Sequence, residues 1–305
     1  MKFSLSFIIA VYNKPDILRF VLAACARQSF TDFETIIADD GSGPAVREVV
    51  EEARQQYAFS MLYLWQEDQG WRKNKILNAA IRASRSDYLV FTDGDCLPSR
   101  HFLLDHANQR EKGKILIGRR VETSERWSKT LTLEKVKSGR FERLGFREWA
   151  DGLAGRGRRL EDGIRIQYWL VRKLFQRDAS RILGSNFSAA KKNLEEINGF
   201  DESYCGPGSG EDTDVQYRLS LAGVSGKSLR NLAIQFHVHH PPTGTDERSR
   251  QKLAEVMKRG EPRCQAGLYP SPVPPSDLSL PATSTAEGAQ RREAEGLNPA
   301  FGGAG

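Results

Sequence analysis

Asp93-Gly94-Asp95 follows an apolar run, Tyr88-Leu89-Val90-Phe91-Thr92, with the length and composition of a buried strand. Two carboxylates one residue apart where a strand stops can hold a hard divalent cation against a phosphorylated ligand. Mg²⁺ or Mn²⁺ needs only one or two protein carboxylates there, because ligand oxygens complete its shell. A D-x-D triplet alone is also an ordinary solvated turn, so its weight depends on what else gathers near it. Asp39-Asp40-Gly41-Ser42 closes another apolar run. Its residues are turn formers, yet a carboxylate in that place can also accept a hydrogen bond from an imide N–H such as that of uracil.

Three further clusters carry chemistry. Trp71-Arg72-Lys73-Asn74-Lys75 sits at a helix start, where cations and backbone N–H groups suit a diphosphate. A plain basic turn is the alternative. Gly210-Glu211-Asp212-Thr213-Asp214 opens another helix. The helix dipole favours acids there, but three in four residues exceed that need, and one fixed carboxylate could remove a proton from a substrate hydroxyl. The approach Gly206-Pro207-Gly208-Ser209-Gly210 lets a substrate come close to the backbone. His237-Val238-His239-His240 holds three of the five histidines. On a strand, His237 and His239 point to one face, so one imidazole can join an Asp on Mn²⁺; a surface cluster is the competing reading.

These clusters need elements to position them. Residues 4–11 predict a buried strand, Asp16 a helix N-cap, and Ile17, Leu18, Val21, Leu22 and Cys25 a helix running to about Gln28. Strands follow at Phe33–Ala38 and Ser60–Gln66, with helices at about 44–57 and from Lys73 to Ser84, before the strand that feeds Asp93. The alternation argues for a parallel α/β sheet with helices on both faces, in which ligands bind at the strands' C-terminal ends. Residues 119–180 are basic and helical in pattern, with Trp127, Trp149, Tyr168 and Trp169 interspersed. Residues 183–230 resume α/β character, including a helix from Glu211 to Leu221, and a last strand is expected over Ser228–Val238. From about Arg259, Pro, Ser, Ala and Gly dominate, which predicts a disordered tail.

Composition sets limits. A chain of 305 residues with 39% hydrophobic and 28% charged residues can bury a large core. It has no apolar stretch long enough to span a bilayer, and no basic leader precedes the first apolar run, so no signal peptide is expected. Cys25, Cys96, Cys205 and Cys264 are scattered without C-x-x-C spacing, which predicts free thiols in a reducing cytoplasm. Net charge is +6, but residues 110–181 hold 20 Lys/Arg against 10 Asp/Glu, so the remainder is net acidic. A basic segment of that kind suggests an anionic partner.

Taken together, Ser6–Asn13, Gln28-Ser29-Phe30 and Ile36–Ser42 resemble the start of family 2 glycosyltransferases with the GT-A fold, and Thr92-Asp93-Gly94-Asp95 is similar to their D-x-D element. Gln66–Arg72, Asn198-Gly199-Phe200-Asp201 and Gly210–Asp214 resemble β-1,4-galactosyltransferases and bacterial chondroitin-type polymerases. The likeness covers roughly 3–120 and 183–245. It implies a Rossmann-like, mostly parallel sheet flanked by helices. Residues 1–118 would be the nucleotide-sugar half, 119–182 a basic helical excursion, 183–258 the acceptor and catalytic half, and 259–305 the tail.

The resemblance also implies roles. Asp40, with Asp39 beside it, would contact uracil or its ribose. Asp93 would lie near ribose, donor sugar and metal, and Asp95 would bind Mn²⁺ or Mg²⁺ with His237. Asp212 would be the general base and Glu211 would hold a sugar. Tyr12, Arg72, Lys73 and Lys75 would line the nucleotide pocket. The glycine loop from Cys205 to Gly210 lacks the aromatic residue that such loops usually carry. The implied activity is inverting transfer from a UDP-sugar to a glycan or lipid-linked saccharide in cell-surface polysaccharide or lipopolysaccharide synthesis. It would occur in the cytoplasm or at the inner membrane face. Apart from the resemblance, the basic, Trp-bearing segment 119–182 could hold an anionic acceptor and make peripheral membrane contact.

Two other readings make different demands. A sugar-nucleotide nucleotidyltransferase requires a Gly- and Arg/Lys-rich loop after the first strand, where Tyr12-Asn13-Lys14-Pro15 stands instead. A nucleic-acid-binding module using residues 110–181 leaves three acidic loops without a purpose, and no nucleic acid is expected as a partner.

Overall fold

The computed structural model describes residues 2–175, 181–206, 208, 210–241, 244 and 246–270, with the side chains of Trp169 and Phe175 excepted. The first half alternates as expected: β1 (Leu5–Val11), α1 (Pro15–Cys25), β2 (Phe33–Asp39), α2 (Pro44–Gln56), β3 (Ser60–Trp65), α3 (Lys73–Ala83) and β4 (Tyr88–Asp93). Then come β5 (Cys96–Pro98), α4 (Phe102–Gln109), β6 (Lys114–Ile117) and β7 (Val121–Glu122). Four short helices follow: α5 (Glu125–Lys129), α6 (Leu133–Ser138), α7 (Phe146–Leu153) and α8 (Trp169–Phe175). The chain continues through β8 (Phe187–Ala190), α9 (Lys191–Glu196), α10 (Glu211–Leu221), β9 (Ser225–Ser228), β10 (Gln235–His237) and α11 (Glu247–Arg259).

The main sheet has the order β3-β2-β1-β4-β8-β6-β9. Its β3-β2-β1-β4 half is parallel, and β8 runs antiparallel between β4 and β6. The register sets the active edge. Val11 pairs with Asp39, Asp39 with Trp65, and Ala10 with Asp93, so the strands end level and their following residues emerge together. β1 and β2 are buried along their whole length, as a sheet covered on both faces requires. On one face α1 and α2 cover Phe7, Ile9 and Ile37, and on the other α3, α9 and α10 cover Ile8, Ile36 and Phe91.

A second, small sheet, β5-β10-β7, lies beside the edge. The single strand expected over Ser228–Val238 is two strands in two sheets. Asn231 and Ala233 adopt left-handed backbone (φ 60° and 43°), which breaks the extended run between them. The Asn231 side chain donates to the Glu161 and Ile164 carbonyls and fixes that bend. The expected N-cap Asp16 also sits elsewhere: Pro15 occupies the first helical turn, the N-cap position is Lys14, and Asp16 lies in the first turn near the dipole's positive end.

Residues 119–175 are helical in short pieces, and they join the main core. Trp127 stacks on Phe236 at 6.1 Å between ring centroids, and Phe141 meets the same ring edge-on at 5.5 Å. The expected disorder after Arg259 does not begin there. Cys264 and Leu268 are buried, because Asn198, at φ 64°, turns its amide to the Cys264 and Tyr269 carbonyls at 3.0 Å each. The rest of the expected tail, 271–305, lies outside the described residues.

Phe236 connects the 119–175 segment to β10, next to His237. Phe236→Ala should cost about 3–5 kcal/mol, seen as a lower urea midpoint.

Candidate active site

A cleft of about 410 Å³ opens at the level strand ends, a volume ordinary for a small-molecule site. Tyr12, Lys14, Asp40, Trp71, Lys73 and Asp93–Asp95 line it, together with His240.

At one end stands Asp40. Its carboxylate accepts from the Arg72 backbone N–H at 2.8 Å and from the Gln66 amide. Burial pushes its pKa up, and those two bonds pull against the rise without cancelling it. Asp39 plays a different part from the one expected. It is fully buried and accepts from the Tyr63 hydroxyl at 2.6 Å and the Ser42 N–H at 2.8 Å, so it builds the loop and does not face the cleft. The same loop needs Gly41, at φ 99°, because any Cβ there would lie 2.6 Å from the Asp68 backbone. Asp68 in turn accepts from the Tyr12 hydroxyl at 3.0 Å, which sets that ring at the cleft wall.

Arg72 contributes its backbone N–H, while its guanidinium ties down the loop through Gln69 and the Glu67 carbonyl. Lys75 is exposed and lies outside the cleft lining. A helix turns successive side chains by about 100°, so Lys73 and Lys75 cannot share its inward face.

Lys73 is central. Its ammonium meets the Asp93 carboxylate at 2.7 Å. Burial opposes that positive charge, but Asp93 and then Asp212 outweigh it and raise the lysine pKa. Arg120 adds a second cation 3.9 Å from Asp93. Asp93 is therefore engaged by two cations and does not join the metal-type cluster around Asp95.

Asp212 is placed at the first turn of α10, where the chain leaves the glycine loop. It accepts from the Gly184 N–H at 2.7 Å. A Cβ on Gly184 would stand 2.5 Å from that carboxylate, so only glycine allows the approach. Burial, and then the neighbouring Glu211, push the Asp212 pKa up to about 7, against the pull of Lys73. A carboxylate of that basicity can accept a proton near neutral pH. Glu211 is buried beside it. The third acid of the motif is structural: Asp214 pairs with buried Arg218, whose guanidinium also donates to the Ile197 and Gly199 carbonyls.

Asp95 faces two imidazoles. Its carboxylate lies 3.6 Å from His237 Nε2 and 3.3 Å from His240 Nε2, and those two nitrogens are 3.1 Å apart. Burial works against the Asp95 charge, yet His237, His240 and Lys14 hold its pKa well below the usual carboxylate range. Glu122 meets His237 Nδ1 at 2.7 Å and is itself held by Arg120 Nε at 2.7 Å. That contact leaves Nε2 aimed at Asp95, the arrangement by which an outer carboxylate orients a ligating histidine. One carboxylate and two imidazoles form a donor set that fits Mn²⁺. Cys96 Sγ lies with Asp95 and His237 in the same cluster, and burial and then the Asp95 charge raise its pKa. His239 is exposed and does not join the group: β10 ends at His237, so the strand alternation expected to pair the two histidines stops there.

Tyr12, Asp40, Lys73, Asp93 and Asp95 thus share one cleft. Asp212 and Glu211 act on it through Lys73, and His237 stands behind Asp95. Sequence reasoning left out Lys14, Gln66, Arg120, Glu122, Gly184 and the specific place of His240. Of these, Gln66 lay inside the Gln66–Arg72 motif and His240 inside the histidine cluster; Arg120, Glu122 and Gly184 stood in no motif.

Glu122→Gln should weaken Mn²⁺ binding by about 10- to 100-fold by calorimetry, while donor binding measured without metal stays close to wild type.

A sequence profile described as "Glycosyl transferase family 2" matches residues 6–160, and one described as "N-terminal domain of galactosyltransferase" matches 171–241. The chain is 26% identical over 259 residues to the chondroitin synthase of Escherichia coli, covering 81% of this chain and 36% of that protein. It is 24% identical to the hyaluronan synthase of Pasteurella multocida (96% and 31% covered). It is also 27% identical to a validoxylamine A glucosyltransferase of Streptomyces hygroscopicus (72% and 52% covered). The chain thus spans about a third to a half of the length of these relatives. Among solved structures it is similar to a mannosyltransferase of Pyrobaculum calidifontis in complex with GDP-Man and Mn²⁺, at TM-score 0.53 and 12% identity, covering 85% of this chain and 70% of that one. S. aureus TarS 1–349 in complex with UDP-GlcNAc matches at TM-score 0.51 and 15% identity, with 85% and 65% covered. These structures share the fold, the expected GT-A arrangement. On the profile that spans its first half, with the acids level along one sheet edge, the chain belongs to glycosyl transferase family 2.

Proposed function

We propose that the protein transfers a sugar from a UDP-sugar, with inversion, to a hydroxyl of a glycan or lipid-linked saccharide acceptor in cell-surface polysaccharide or lipopolysaccharide synthesis. The observation that carries this reading is the single cleft that brings Asp40, Asp93 and Asp95 together, with a basic carboxylate, Asp212, across Lys73. Relatives named for chondroitin, hyaluronan and validoxylamine chemistry support a glycosyl acceptor. A solved neighbour with UDP-GlcNAc supports the nucleotide. The cytoplasm or its membrane face is the proposed location; among the described residues no helix is long and apolar enough to cross a bilayer.

Each group has a step. Asp40 accepts from the imide N–H of the base, with Tyr12 and Trp71 bounding that end of the cleft. Asp95, His237 and His240 would hold Mn²⁺ or Mg²⁺, which neutralises charge on the departing diphosphate. Lys73 adds positive charge on the same side and keeps Asp93 oriented. Asp212 takes the proton of the acceptor hydroxyl, whose oxygen forms the new bond to the anomeric carbon. The old carbon–oxygen bond breaks with its electron pair on UDP. One displacement inverts the configuration and needs no covalent enzyme intermediate.

Two experiments test this. Asp212→Asn should lower kcat by about 10²- to 10⁴-fold while UDP-sugar binding by calorimetry stays near wild type; an almost unchanged rate would remove Asp212 from the base role. The pH profile follows from the raised pKa of about 7. Wild-type turnover should fall as pH drops through that value, because the base becomes protonated, and Asp212→Asn should lose that limb.

A further inference from the structure

We propose that the outer faces of α7 and α8 form a docking surface for an anionic lipid bilayer. Eight of the thirteen large apolar side chains exposed among the described residues fall within 146–174, so exposure there is concentrated, not scattered. On α7, Phe146 (88% exposed), Trp149 and Leu153 (92%) are spaced i, i+3, i+7, which puts them on one side of the helix. On α8, Leu170, Val171 and Leu174, at i, i+1 and i+4, are exposed along one side of the helix as well.

Charge selects the occupant. The acids of this segment each have a partner, and the exposed one, Glu161, pairs with Arg230 at 3.2 Å. Asp151 is buried against Arg156, Asp162 against Arg230, and Glu148 caps the Gly145 N–H at 2.8 Å. Glu142 pairs with Arg27. Arg143, Arg147, Arg158 and Arg159 are exposed and make no ion pair among the described residues. The segment therefore offers solvent apolar side chains and positive charge with little negative charge to balance them. An interfacial helix that lies in the headgroup region of anionic lipid has this composition. A second copy of the same surface would set arginine against arginine across a symmetric contact.

The surface is distinct from the cleft, so the inference stands or falls separately from the catalytic reading: an active enzyme that ignores vesicles overturns only the docking. The test is cosedimentation of the full chain with phosphatidylcholine vesicles, with and without phosphatidylglycerol. The protein should pellet with the anionic vesicles at low salt, stay in the supernatant with neutral ones, and be released by high salt. Phe146→Ser with Leu153→Ser should weaken partitioning by about 10-fold or more. Arg143→Gln with Arg147→Gln should weaken it and flatten the salt dependence. All four positions are exposed, so both double variants should keep wild-type Tm and turnover on soluble acceptor. The proposal is overturned if the wild type stays in solution with anionic vesicles at low salt, or binds neutral ones equally well. It is also overturned if both variants pellet like the wild type, or if sedimentation equilibrium shows a dimer that Phe146→Ser with Leu153→Ser dissolves.

Discussion

The level ending of β1, β2 and β4 sets the conditions for everything else in this molecule. The register that brings Val11, Asp39 and Asp93 to one height also crowds carboxylates onto one rim. Like charges that close together repel, and a site of low dielectric amplifies the cost. The structure answers by giving each acid its own counter-groups. Lys73 and Arg120 face Asp93, and Lys14 faces Asp95. The Arg72 N–H serves Asp40, and the Gly184 N–H serves Asp212. Each acid thus keeps a chemical character of its own within a shared cleft.

The small sheet solves a second problem. Histidines cannot reach Asp95 from the parallel sheet itself, because its strands end at the rim. β10 reaches it by pairing with β5, immediately after Asp95, and with β7, which carries Glu122. Cys96 pairs with His237, and His237 with Glu122. Backbone register alone therefore aligns acid, imidazole and outer carboxylate. Trp127 and Phe141 clamp this small sheet through Phe236, so the basic segment supports the metal-type site from behind.

The parallel half was legible because its signals are local. Period, strand length and turn residues placed every element from β1 to β4 to within a few residues, and the C-terminal-edge rule then picked out Asp40, Asp93 and Asp95. Later failures have a common physical cause: the deciding contact joined distant parts of the chain. Asp39 and Asp40 look alike in sequence, and only Tyr63 on the adjacent strand turns Asp39 inward. Ser228–Val238 has the composition of one strand, but a left-handed bend at Asn231 and Ala233, anchored on Glu161 and Ile164, splits it. His239 looked as good as His240 because alternation was extended past the point where pairing with Cys96 ends. Glu122 sits 115 residues from His237 and had no motif to mark it.

The same cleft stores stability effects of opposite sign. Asp212 has a folded pKa of about 7, above its ordinary 3.8, so the folded state holds that proton more tightly than the unfolded chain. Its contribution is fully present below the unfolded pKa and is lost as pH rises through about 7. Asp95 is held below 3.8, so its contribution is present above the unfolded pKa and is lost only as pH falls through the depressed value. At neutral pH the Asp95 corner is therefore stabilising as built, while the Asp212 corner has given up stability to become basic. The loss follows from packing Asp212 beside Glu211 under the 184 loop, the placement that gives it the strength to take a proton. A carboxylate freed from that crowding would restore stability and lose its basicity together, so the fold cannot relax this corner and keep the raised pKa.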